Sequence, residues 1–128
     1  RCNMTGTPYT VFGYQGKQVR DNIHSDDVAS FIRAFVAQPR VAAVYNIGGG
    51  KANTVSVLEA FEQVARITGR EMIWNYSPKA REGDHICYYS DLSRMRRDYP
   101  DWVITKDVPT ILAEIAQSWE RRLADRAA

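Results

Sequence analysis

Apolar and polar positions along the chain follow two periods, one helical and one strand-like. Three stretches repeat every three to four residues. In the first, Val28, Phe31, Ile32, Phe35 and Val36 form one stripe of a helix that Ser25, Asp26 and Asp27 would open and Pro39 would stop, near Gln38. In the second, Ser56 and Glu59 have the spacing of a capping box, Val57, Leu58, Phe61, Val64 and Ala65 share a face, and Gly69 closes the helix. The third spans about 107–125, with Val108, Ile111, Leu112, Ile115, Trp119 and Leu123 on one side and Pro109 tolerated in the first turn. A shorter helix carrying Leu92 and Met95 is predicted before Tyr99 and Pro100, capped by Asp91 or Ser90.

Strand signals lie between these helices. Residues 9–13, YTVFG, predict a short strand, and the run KQVRDNIH after the Gly13 and Gly16 punctuation reads as its return, a hairpin or loop pair. Residues 42–47, AAVYNI, predict a buried strand that ends at Gly48, Gly49 and Gly50, and 71–76, EMIWNY, alternates like another. The expected fold class is α/β, a mixed α+β lobe of short strands with three to four amphipathic helices, filling residues 1–128 as one domain.

Charge and composition narrow the partners. The 17 Lys and Arg against 15 Asp and Glu leave a net charge of +2, too little for a nucleic-acid footprint by charge alone. No long apolar run or leader pattern is visible, so a cytoplasmic protein without membrane contact is expected. Cys2 and Cys87 are too few for a disulfide framework and, with only His24 and His85 beside them, poorly spaced for zinc. Free thiols and no metal are expected.

Three polar, glycine-containing segments, 16–27, 46–50 and 79–85, lie between predicted elements, where sites are usually built. Arg20 and Arg81 are candidates for anion contacts, because a guanidinium presents a planar fork that matches phosphate oxygens. The residues by themselves favour a local pairing of Arg20 with Asp21, and of Arg81 with Glu82 or Asp84. The triple glycine lacks phosphate-loop and dinucleotide spacing and reads better as a tight turn. His24 next to a helix start is more readily a packing or capping group than a base, and Asp26 and Asp27 suit the helix dipole. Phe12 could be core or a flat surface for a nucleobase, with core favoured on its own.

Together these segments resemble a known family. VRDNIHSDDVA at 19–29, VYNIGGG at 44–50 with the capped helix after it, REGDHICYYSDLSRM at 81–95 and the terminal amphipathic helix are similar, in order, to the C-terminal substrate-binding part of extended short-chain dehydrogenases, the NAD-dependent nucleotide-sugar epimerases and dehydratases. The wording GYQGKQVRDNIHSDD and EGDHICYYSDL most resembles the CDP-paratose 2-epimerase branch, also called CDP-tyvelose epimerases. The resemblance implies that Arg20 and Arg81 contact a diphosphate and Asp84 takes ribose hydroxyls. It also implies that Phe12, with the backbone near Thr10 and Val11, borders the base, and it overrides the local-pair reading of the arginines. The expected ligand is a nucleoside-diphosphate sugar.

The departures matter equally. Neither the GxxGxxG turn nor YxxxK occurs in the 128 residues, so no catalytic residue is assigned, no cofactor is expected on this chain, and NAD belongs to the intact parent enzyme. The expectation is a substrate-binding lobe without its NAD-binding domain, not catalytic alone. The alternative is a stand-alone nucleotide-binding or assembly module. Such a lobe leaves apolar surface and the 42–47 segment uncovered, so a homo-oligomer or a separate NAD-binding domain is the expected partner.

Overall fold

The computed structural model describes residues 1–127. In chain order it contains α1 (Cys2–Thr5), β1 (Tyr9–Phe12), β2 (Val19–Asp21), α2 (Ser25–Ala37), β3 (Thr54–Ser56), α3 (Val57–Thr68), β4 (Trp74–Ser77), β5 (Cys87–Tyr88), α4 (Ser93–Asp98) and α5 (Val108–Ala127). This is the expected mixed lobe, with the four-residue α1 and the short β3 and β5 added. β1 and β2 do not form a hairpin. A tight turn over Tyr14–Gly16 separates them into different sheets: β1 pairs in parallel with β4, while β2 lies between antiparallel β3 and parallel β5.

Local signals set the helix ends with two corrections. Ser56 and Glu59 form the reciprocal capping box of α3, and Gly69 closes it in the left-handed conformation at φ 66°. At α2 the cap is His24 rather than Ser25. The extended backbone of His24 brings its Nδ1 to 3.1 Å from the Asp26 amide, which donates to it, so the imidazole takes the role expected of a hydroxyl. Its Nε2 lies 3.1 Å from a Glu114 carboxylate oxygen, joining the start of α2 to α5. At α4 the N-cap is Leu92, with no side-chain cap bond, rather than Asp91 or Ser90; Asp91 lies one residue before it, its Oδ1 accepting from the amide and hydroxyl of Ser93.

Three of the five positions of the α2 stripe, Val28, Phe31 and Phe35, are buried or half-buried. Phe31 is buried and makes edge-to-face contacts with Tyr45, Tyr99 and Trp102 at centroid distances of 5.7, 5.4 and 5.2 Å, with Leu92 and Met95 completing the cluster. Ile32 and Val36 stay exposed. The predicted strand at 42–47 is also corrected: the segment is irregular, and Val44 is 75% exposed. An extended backbone becomes a strand only when another strand lies alongside to take its amide and carbonyl groups, and here none does. Tyr45 turns inward, its hydroxyl donating to Asp98 at 2.9 Å. The two thiols remain free, as expected.

Two buried polar residues fasten the loops. Asn53 donates to the carbonyls of Asn22 and Lys106 and accepts from the Val108 amide, all at 3.0 Å, tying the end of β2 to the start of α5. Asp27, 1% exposed, accepts from the hydroxyl and amide of Thr105 and the amide of Lys106. Burial pushes its carboxyl up, but the Thr105 and Lys106 hydrogen bonds, helped by the nearby His24, outweigh it and hold the pKa below the ordinary 3.8. A carboxylate with a lowered folded pKa stabilises above its unfolded value and loses that contribution as the pH falls through the folded one. Asp27→Asn should therefore cost roughly 2 kcal/mol at pH 7, and the gap from wild type should shrink as the pH drops below about 4. Denaturation curves between pH 7 and pH 3 check both.

Candidate functional site

Strand alternation builds the site. Side chains at every second position of a strand share a face, so Gln18, Arg20 and Asn22 flank one side of β2 while Asp21 faces the other. These three line a cleft of about 300 Å³ with β1, the β3–α3 junction and the turn that carries Arg81 and Asp84. Thus Phe12, Arg20, Arg81 and Asp84, from three separated segments, meet at one cleft. On β1, Tyr9 and Gly13 donate to the carbonyls of Ile73 and Ser77 at 2.9 and 2.8 Å. Alternation then turns the peptide groups of Thr10 and Phe12 away from β4, and the Phe12 carbonyl accepts from Gln18 Nε2 at 2.5 Å.

The charged groups do not pair as their sequence neighbours suggest. Arg20 forms an ion pair with Asp84, 64 positions away, and its second terminal nitrogen donates to the Val19 carbonyl at 2.7 Å. Asp21 is on the wrong face for that pairing and instead accepts from the amides of Gly50 and Ser90, each at 3.0 Å. Arg81 stacks its guanidinium over the half-buried Phe12 ring, 5.0 Å from the centroid. The triple glycine is packing, not cradle: a Cβ on Gly48 would sit 2.3 Å from an Asp21 carboxylate oxygen, and one on Gly49 would sit 2.0 Å from the Asn22 carbonyl. His24 is spent on capping, and Asp26 points to solvent beside Lys106. Among the described residues no group of His, Cys, Asp and Glu could hold a metal, and no helix is long and apolar enough to cross a membrane.

Gln18 escaped the sequence reading. It is 7% exposed, its Nε2 bonds the Phe12 carbonyl and lies 3.4 Å from Asp84 Oδ2, and its buried Oε1 has no partner among the described residues. A buried acceptor left unpaired costs about 1–3 kcal/mol. The signal was the alternation of polar Gln18, Arg20 and Asn22 beside the apolar Val19, which marks a strand face turned to a wet site.

No protein-family model matches the chain. It is 34% identical over 123 residues to UDP-arabinose 4-epimerase 1 of Arabidopsis thaliana, covering 92% of this chain and 27% of that protein. It is 32% identical over 111 residues to CDP-paratose 2-epimerase of Salmonella typhi, covering 82% and 32%. The chain corresponds to the C-terminal part of an extended short-chain dehydrogenase. The epimerase and dehydratase architecture extends to solved structures. MoeE5 in complex with UDP-glucose and NAD superposes with a TM-score of 0.82 at 28% identity, covering 96% of this chain and 40% of that one. The UDP-glucose 4-epimerase of Stenotrophomonas maltophila, with bound NAD and formylated UDP-arabinopyranose, gives 0.79 at 29%, covering 99% and 39%. The chain therefore spans about a third or less of the length of the curated relatives named here.

One backbone position lets the chain before Arg81 pack closely against the end of β1. Gly13 has φ 64° and ψ 175°, a region open essentially to glycine, and a Cβ there would lie 2.7 Å from the Ala80 Cα. Gly13→Ala should cost about 1–3 kcal/mol in chemical denaturation. It should also shift the backbone amide resonances of the turn that carries Arg81 and Asp84.

Proposed function

We propose that this lobe binds the nucleoside diphosphate of a nucleotide sugar for an NAD-dependent epimerase and does not carry out the chemistry alone. The observation that carries the reading is the convergence of Phe12, Arg20, Arg81 and Asp84 on one cleft. Two guanidinium forks suit a diphosphate, a carboxylate accepts from a ribose diol, and an aromatic ring beside an open strand edge suits a flat base. In the free lobe Arg20 and Asp84 neutralise each other. A diphosphate competes for the arginine and frees the acid for hydroxyls, and Arg81 lifts from the Phe12 ring as the base and phosphates enter.

The residues present do not fit NAD. Pyrophosphate binding needs an open glycine turn leading into a helix N-terminus. The glycine turn at 48–50 is filled by Asp21, Ser90 and Asn22, and it leads into the short turn Lys51–Asn53 and strand β3. Redox chemistry at the sugar is assigned to an NAD-binding domain outside this lobe. Exposed Val41, Val44, Ile32 and Val36 supply apolar surface for such a domain or for a second copy. Within the class, the motif wording favours a CDP-sugar 2-epimerase, and likeness to both UDP- and CDP-sugar epimerases makes the base a matter for titration.

Titration with CDP, UDP, dTDP and NAD, followed through backbone amide shifts, tests the assignment. A nucleoside diphosphate should move residues around Phe12, Arg20, Arg81 and Asp84, while NAD should move none of them. Arg20→Ala and Arg81→Ala should each weaken binding about tenfold or more. Silence towards every diphosphate would remove the binding role. Light scattering at rising concentration should show association through the uncovered apolar surface, and a monomer throughout would exclude a second copy as its partner.

A further inference from the structure

We propose that Gln18 is a positioning residue through which the cleft tells ribonucleotides from 2′-deoxyribonucleotides. It does so by holding the Asp84 carboxylate where a vicinal diol can reach it. The proposal rests on the reading of Asp84 as the acceptor for ribose hydroxyls.

Two side-chain donors face that carboxylate, Arg20 at Oδ1 and Gln18 at Oδ2. Arg20 is the group that an incoming diphosphate draws away. Gln18 is then the side-chain donor left to keep the acid from swinging. Its own orientation is fixed, because Nε2 points at two acceptors, the Phe12 carbonyl and Asp84. Reversing the amide would set Oε1 against both, oxygen against oxygen. Gln18 thus couples the strand edge that borders the base to the acid that meets the sugar.

The same side chain is poorly chosen for folding alone. Its Oε1 is buried and unpartnered, a cost that an unbranched apolar side chain of similar length would not bear. A side chain that bears that cost while its donor end meets two cleft groups is suited to binding rather than to packing. Asp84 pinned through one oxygen keeps lone pairs for both sugar hydroxyls. Asp84 released would lose the alignment that makes the 2′-hydroxyl count.

Wild type, Gln18→Met and Asp84→Asn should be titrated with CDP, its 2′-deoxy counterpart and inorganic pyrophosphate, beside thermal melts. Wild type should prefer the ribonucleotide about tenfold, the value of one hydrogen bond to a charged group. Gln18→Met should bring that ratio close to one, as should Asp84→Asn, and Gln18→Met should leave pyrophosphate affinity and melting midpoint no lower than wild type. A wild-type ratio retained in Gln18→Met, or a wild-type ratio of one, would overturn the proposal while leaving the diphosphate site standing. Wild type binding no nucleotide would instead bring down the site reading, and this proposal with it. Should Gln18→Met fail to fold, the Gln18 side-chain NH2 resonances of the wild type decide. They should move with CDP and clearly less with the deoxy form, and equal response to the two would overturn the assignment.

Discussion

β2 is three residues long, yet its register governs both the shape of the lobe and the content of the cleft. Val19 and Arg20 are fixed between Ser56 and Val55 on one side and Cys87 and Tyr88 on the other. A strand has a side-chain period of two, so a slip of one residue exchanges its faces. Such a slip would bring the Asp21 carboxylate towards Asp84 and drive the Arg20 guanidinium into the glycine turn, which has no room for even a Cβ at Gly48 or Gly49. The bonds from Gly50 and Ser90 to Asp21 are what prevent it.

From that register the remaining geometry follows. Asp21 draws in the 48–50 turn and the chain before α4, Asn53 joins the end of β2 to α5, and Asp27 holds residues 105 and 106. The aromatic cluster around Phe31 lies under α2 and α4, apart from the cleft. Apolar packing thus stabilises one end of the lobe, and directed polar contacts shape the other. The arrangement leaves the cleft free to carry charged and hydrogen-bonding groups, because it is not asked to be the core.

Much of the fold was legible because its signals are local. The capping box at Ser56 and Glu59, the left-handed Gly69 and the amphipathic repeats act within a few residues of themselves, and α2, α3 and α5 appear within a residue or two of their expected ends. The failures were non-local. The segment 42–47 has strand composition without a strand beside it, β1 and β2 have hairpin spacing but separate sheet partners, and His24, whose ring also lies beside Glu114 of α5, caps α2 in place of Ser25. Residue types and motif order drew attention to Phe12, Arg20, Arg81 and Asp84. Gln18 went unnoticed, since its significance depends on what lies across the cleft.

The sequence by itself determined the helices other than the four-residue α1, the class of lobe and the chemical kinds of group available for a site, because periodicity and side-chain chemistry are properties of short stretches of chain. The tertiary structure alone decided that Arg20 meets Asp84 rather than Asp21, that Arg81 lies on Phe12, and that Gln18 bridges the Phe12 carbonyl and Asp84. Those contacts join residues up to 69 positions apart, Phe12 and Arg81 being the farthest. Which distant groups meet is set by strand register and sheet partner, and these depend on the energy of the whole chain rather than on any segment of it.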